Sequence, residues 1–144
     1  MDIATRKNLR QSVVRLENAI KEFDDHLEDD CFPLVHHFAP GVYAREIFIP
    51  AGFTIIGKIH RHEHLIIFIS GEVSIVSEEG NQRITAPHTG ISPAGVKRAV
   101  YAHTDAVITT IHVTDETDLE KIEDYVIAKS FDELEHDPLK EIES

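Results

Sequence analysis

The sequence predicts a mainly β domain, a barrel or sandwich of about eight short strands, with an α-helix before it and a helical tail after it. Three observations carry this. Between Phe32 and Val113, short runs of Val, Ile, Phe and Thr alternate with Gly, Pro and Asn at intervals of roughly 8–12 residues. Ahead of that region Leu9, Val13, Leu16, Ile20, Phe23 and Leu27 recur at alternating spacings of four and three, the period of one helix face. Behind it, Thr117-Asp-Leu-Glu120 has the form of a capping box, and Leu119, Ile122 and Val126 follow on one face.

The helix is expected from about Thr5 to Leu27, ending in the acidic run Asp24 to Asp30. Its stripe spans just under three heptads, so it covers apolar surface on the domain or pairs with its copy in an oligomer. The expected strands are Val42–Ile49, Thr54–His60, His64–Ile69, Val73–Val76, Gln82–Thr85, Gly90–Ser92, Arg98–Tyr101 and Ala106–Val113. Ser70-Gly71 and Glu79-Gly80-Asn81 are turn signals between them. Ser130-Phe-Asp-Glu133 can start a second short helix, which Asp137-Pro138 interrupts. The chain thus divides into a helix and acidic loop (residues 1–31), a β region (32–114) and an acidic helical tail (115–144).

At 144 residues the chain fits one domain with an ordinary core, and 42% apolar with 28% charged residues is the balance of a soluble protein. No run approaches the roughly 18 apolar residues of a membrane span. Met1 to Lys7 is followed by no apolar stretch of the secretory kind, and the single Cys31 has no internal partner, so a reducing cytoplasm is the expected setting. Cys31 reads as an inert thiol. The net charge of −12 is uneven: residues 31–114 hold six acids and six bases, residues 115–144 twelve acids and three bases. That excludes a general nucleic-acid surface, which needs a basic footprint.

The chemistry concentrates in Gly52 to Gly71, where His60, His62 and His64 fall within five residues between apolar runs. Neutral imidazole is the commonest protein metal ligand. Residues two apart on a strand lie about 7 Å apart and residues four apart about 13 Å. His60 and His62 can therefore share an ion from one straight strand, whereas His60 and His64 need a turn between them. His103 is the added ligand that the Tyr101 to Asp105 loop offers, while the facing of His112 in the last strand is unreadable. His26, His36, His37, His88 and His136 read as surface or loop residues.

The β region, from about Gly41 to Val113, resembles the cupin superfamily of small jelly-roll barrels. The cupin motif runs Gly, five residues, His-x-His, three or four residues, Glu, six residues, Gly. Gly52 and Gly71 keep that spacing, which sets Lys58 and His60 at the two His positions and His64 at the Glu position. A second motif, Pro-x-Gly and two residues before His, matches Pro93-Ala-Gly95-Val-Lys-Arg98, with Arg98 in place of the third His. A second alignment slides His60-x-His62 onto the His pair and breaks the spacing to Gly71; the spacing is preferred, because turn length fixes which face a side chain takes. The Ile-Pro-Ala-Gly opening, the Lys-Ile-His-x-His-x-His core and the Lys-Arg pair are also similar to small cupin-like proteins of bacteriophages and prophages.

The resemblance implies a cupin-type jelly-roll β-barrel, often dimeric, with its pocket at the barrel mouth. It leaves three functions open. The first is capture of a small anionic ligand, a carboxylate, phosphate or nucleotide, by Lys58, His60, His64 and Arg98, in the cytoplasm of a bacterium or phage-infected host. The second is a metal-dependent oxygenase, isomerase or lyase holding Zn, Mn, Fe or Ni on His60, His62, His64 and His103. The third is a structural or assembly protein built on the barrel. Lys97 and Arg61 read as solvated rim cations; Lys58 and Arg98, if buried, need an acid such as Glu46 beside them.

Overall fold

The pleat decides which side chains of each β-branched run meet. Along Val73, Ile75 and Ser77 every second residue is buried, and along Tyr43, Ile47 and Ile49 the same face is closed off. These inward positions come from two facing sheets. The structure, a computed structural model, describes residues 1–23, 32–135, 137 and 139. In chain order they form α1 (Ile3–Phe23), β1 (Leu34–Ala39), β2 (Val42–Ile49), β3 (Thr54–Ile56), β4 (Ile59–His60), β5 (His64–Ser70), β6 (Glu72–Ser77), β7 (Gly80–Thr85), β8 (His88–Ser92), β9 (Ala99–Ala102), β10 (Ala106–Val113), α2 (Leu119–Val126) and β11 (Ile127–Ala128), then a 3-10 turn at Phe131–Glu133.

One sheet has the order β1-β2-β10-β5-β8 and the other β3-β9-β6-β7, every pair antiparallel. Between them lies one core, with Ile47, Ile49, Phe68, Ala106 and Ile108 from the first sheet and Ile55, Val73, Ile75, Val100 and Ala102 from the second. This is the mainly β jelly-roll class that the sequence predicts, with the two sheets remaining separate rather than closing into one continuous barrel.

The expected strand Thr54–His60 is two strands. At Gly57 the chain leaves β9, its amide donating to the Arg98 carbonyl at 2.9 Å, and β4 pairs instead with β11 from the tail. β1 was not expected at all; it forms because its residues pair in full register with β2, from Leu34↔Ile47 to Ala39↔Val42.

Helix α1 starts at Ile3, two residues earlier than expected, where the Asp2 carboxylate accepts from the Thr5 amide. Part of its stripe is used within the domain: Val13 is buried against Ile56 and Ala99, with Ile20 and Val76 beside it, whereas Leu16 is 41% exposed. The part of the stripe at Leu27 lies outside the described residues, as do Cys31, His26 and His136. Helix α2 is capped by Asp118, one residue later than the box predicts; its carboxylate accepts from the Glu120 and Lys121 amides, while Glu116 accepts from those of Thr117 and Asp118. Ile122 and Val126 then pack on Tyr43. No described helix is long and apolar enough to cross a membrane.

Candidate functional site

Three strands from two sheets, β5 and β10 of the five-stranded one and β4 of its small pairing with β11, aim imidazoles at one point. β4 ends at His60, the chain turns through Arg61 to Glu63, and β5 begins at His64. The turn brings the two rings to 4.2 Å between centroids. β10 pairs with β5 and carries His112 on the inward face it shares with Ile108 and Ala106; that ring lies 4.8 Å from His64 and 5.5 Å from His60. His64 and His112 are buried and His60 is partly exposed on the pocket wall. One ring nitrogen from each of the three lies within 4.8 Å of the others.

Their protonation suits metal binding. Burial lowers the pKa of all three. His60 falls well below the ordinary range, with the charges of His64, His112 and Arg45 adding to the effect. His64 is lowered by burial and by Arg98, against an opposing hydrogen bond to the backbone of His62. His112 is pushed down to about 4, by burial first and then by His64 and Arg45. Each ring is therefore neutral at pH 7, the form that offers a lone pair. His64 Nδ1 lies 3.0 Å from the His62 carbonyl oxygen, which can only accept, so Nδ1 carries the hydrogen and Nε2 is left as the ligand atom. His112 Nε2 lies 3.0 Å from Thr110 Oγ1.

Three nitrogens within 4.8 Å of each other have a common point no more than about 2.8 Å from each, while a metal–imidazole bond is about 2.0–2.1 Å. The rings then need to move inward by at most about 0.7 Å to reach bonding distance. The residues present fit a three-histidine site. Among the described residues no carboxylate joins it.

The pocket in front of the cluster has a volume of about 210 Å³. Arg45, Lys58, His36, Tyr43 and the α2 residues Ile122 and Glu123 line it together with His60 and His112. Lys58 Nζ is 2.6 Å from the Glu123 carboxylate, so the tail helix holds the cation, and Glu46 pairs with His37. The Tyr43 hydroxyl lies 2.7 Å from His36 Nδ1, and both rings stack, so His36 belongs to the pocket wall and not to a bare surface.

The structure separates the other expected site residues from the cluster. His62 occupies the turn, its ring tilted 36° against that of Tyr125 at 4.8 Å, where it lines a groove on the far side of His64 and His112. His103 follows β9, a strand of the other sheet, and its Nε2 lies 2.6 Å from Ser74 Oγ on β6. Arg98 lines neither pocket; it reaches Glu79 at 3.5 Å, its Nε is buried without a hydrogen-bond partner, and it acts on His64 only through space. Lys97 is not a rim cation, since its side chain is only 13% exposed and pairs with Glu17 at 2.9 Å. Arg61 bonds the Ile127 carbonyl and Glu133, pinning the tail over the site.

Residues that sequence reasoning passed over are His112, Arg45, Tyr43 and His36. The even positions of β10 read Ala, Ile, Thr, His and the odd ones Val, Thr, Ile, Val, so neither face declares itself as the inner one.

No known protein family's sequence profile matches the chain, and no curated protein is similar to it in sequence. Solved structures do resemble it. A cupin 2 domain-containing protein from Halorhodospira halophila aligns at a TM-score of 0.51 with 14% identity, covering 60% of this chain and 66% of that one. A proposed ethanolamine utilization protein Q from Salmonella typhimurium aligns at 0.52 with 12% identity, covering 65% and 77%. Salicylate 1,2-dioxygenase from Pseudoaminobacter salicylatoxidans, solved as adducts with gentisate, aligns at 0.53 with 9% identity, covering 67% and 29%. At these identities the likeness establishes the fold.

Proposed function

We propose that this cupin-fold protein holds a divalent transition metal on His60, His64 and His112 and takes a small organic anion into the pocket in front of it. The observation that carries this reading is the convergence of three neutral imidazoles within 4.8 Å. Zn, Mn, Fe and Ni all accept imidazole, and ligand type alone does not choose among them. Among the described residues no carboxylate joins the cluster, which leaves a bound dication with its full charge, and Arg45 and the Glu123-paired Lys58 line the same cavity. An anionic ligand offsets the charge of the dication.

When bound, the metal supplies Lewis-acid polarisation of the anion or an activated water. The chain's own residues do the rest. The His62 carbonyl fixes the His64 ring, Ile122 and Val126 exclude water from one side, and Arg45 offers a planar fork suited to a carboxylate. A dioxygenase shares the fold, and an oxygenase, isomerase or lyase reaction is the enzymatic form of this proposal.

Elemental analysis of the purified chain should find near-stoichiometric metal, and at least one of Zn, Mn, Fe or Ni should raise the melting temperature. Both effects should vanish in His112→Ala and survive in His103→Ala. Metal-free protein with no thermal response to any of the four ions would sink the reading.

The pocket's cations favour a second reading, anion capture without metal. In the presence of a chelator, a panel of carboxylates, phosphates and nucleotides then stabilises the wild type, and Arg45→Ala loses the response while Arg98→Ala keeps it. If no anion shifts the wild type under chelation, this second reading fails. A phage or prophage origin remains part of the proposal on the strength of the Lys-Ile-His-x-His-x-His core, and a cytoplasmic setting on that of the lone Cys31; the neighbourhood of the coding sequence tests the first.

A further inference from the structure

The pocket in front of the histidine cluster has two charged ends. At one, after burial and the other imidazoles, Arg45 adds to the lowering of the His60 and His112 pKa values, so its charge lies beside the cluster. At the other, the Lys58 ammonium turns to α2, where Glu123 Oε1 stands 2.6 Å away. The wall also carries apolar Leu34, Leu119, Ile122 and Ile127. Among the described residues that line the pocket, Glu123 is the one acid. An acid in a cavity that otherwise gathers cations opposes the entry of an anion unless its own charge moves aside.

The backbone under Glu123 is tied down at both ends. Ahead of α2 the Asp115 carboxylate accepts from the Gly41 amide at 2.6 Å. Behind it β11 pairs with β4, and the Arg61 amide donates to the Val126 carbonyl at 2.7 Å. Between these ties Ile122 and Val126 pack on Tyr43. The helix is therefore a wall and not a lid. The Glu123 side chain is 52% exposed, so rotation about its own bonds carries the carboxylate to water. An ion pair this open to solvent holds weakly.

We propose, on the reading of this pocket as an anion site, that Lys58 and Glu123 form an exchange site and that the ligand is a small dianion, a short dicarboxylate. One carboxylate meets the cluster and Arg45. The other takes the place of Glu123 on the Lys58 ammonium, and the hydrocarbon between them lies against the apolar wall. Glu123 turns outward as the ligand enters. In the empty pocket it keeps Lys58 in position. It also makes a singly charged ligand the poorer one, because such a ligand leaves Lys58 with its resident acid and gains nothing there.

Titration calorimetry of the full chain, Zn-loaded and separately chelated, tests this with malonate, succinate and glutarate, each against the monocarboxylate of the same carbon number. The best dicarboxylate is expected to bind about tenfold more tightly than its counterpart, the weight of a hydrogen bond to a charged group. Glu123→Gln should tighten that dicarboxylate about three- to fivefold, the weight of an exposed ion pair, and change the monocarboxylate less than about twofold. Lys58→Met should bring the dicarboxylate down to the level of the monocarboxylate. Glu120→Gln, at an exposed position of the same helix outside the pocket, removes the same charge and should change neither. Equal affinity for the two acids in the wild type overturns the dianion while the anion pocket stands. A gain below about twofold in Glu123→Gln, or one that Glu120→Gln matches, overturns the exchange in the same way. Binding of no carboxylate in any form, Glu123→Gln included, removes the anion pocket itself and the exchange with it.

Discussion

Gly71 shows how a single residue supports the site. It adopts a φ of +90°, and a Cβ placed there would overlap the Asp105 carbonyl and Ala106, the residues that open β10. Gly71→Ala should therefore cost about 2–4 kcal/mol, read from the midpoint of urea unfolding, because strain and overlap add. A loss below about 1 kcal/mol would mean the loop yields easily. His112 gives a second test through pH. Its folded pKa is about 4 against about 6.5 unfolded. Between those values the unfolded chain binds more protons, so stability climbs as pH rises from about 4 and is fully present above about 6.5. His60 and His64 shift in the same direction and add to it. In chelated protein, acidification from pH 7 to 4.5 should remove about 2 kcal/mol at this position after allowance for solvent, and His112→Gln should flatten the dependence. An unchanged slope in that variant would show that His112 does not sense the burial assigned to it. Local spacing revealed His60 and His64 because a turn of known length joins them. His112 depends on which face of β10 turns inward, and only pairing with β2 and β5 decides that.

At the level of elements, ion pairs tie the N-terminal helix to distant parts of the chain. Arg10 on α1 bonds Glu78 at 2.7 Å and Asp137 at 2.8 Å, while its guanidinium covers the Phe131 ring at 3.9 Å. Arg6 adds a second bond to Glu78 at 3.0 Å. Glu78 is 2% exposed and Asp137 6%, so neither carboxylate can turn to water. Removing Arg10 takes one partner from each of two buried carboxylates while Arg6 stays on Glu78, and Arg10→Ala should destabilise by about 1–3 kcal/mol in chemical unfolding. Arg10→Met with Glu78→Leu should recover part of that loss; if the double variant is no better than the single, the cost is in packing and not in charge. The same elements mark what sequence could show. β2 and β10 begin and end where their β-branched runs do, because those runs are bounded by turn residues. The break of Thr54–His60 at Gly57 and the pairing of β4 with β11 depend on a partner about 70 residues away, beyond any local signal. So does the helix's docking, for its stripe shows an apolar face and not the surface that meets it.

The whole molecule is a two-sheet core covered on one side by its own helix, and that arrangement sets the cost of losing the helix. Removing residues 1–23 uncovers Ile56 and Ala99, which are buried against Val13. It also leaves Glu78 without Arg6 and Arg10. The first effect is worth about 1.5–3 kcal/mol for a side chain such as Val13 and the second about 3–5 kcal/mol. Together they reach the lower range of a small domain's total stability, about 5–15 kcal/mol. The truncated chain is therefore expected to lose its cooperative thermal transition, or to melt at least 10 °C below the full chain in circular dichroism, with about 2–4 °C per kcal/mol applying to domains near 150 residues. The histidine cluster comes entirely from β4, β5 and β10, on the other side of the core from α1, so its loss in the truncated form would follow from unfolding and not from a missing ligand. A truncated chain that melts within about 5 °C of the full one would show that the two sheets stand without their helix, and that Glu78 finds another partner when both arginines are gone.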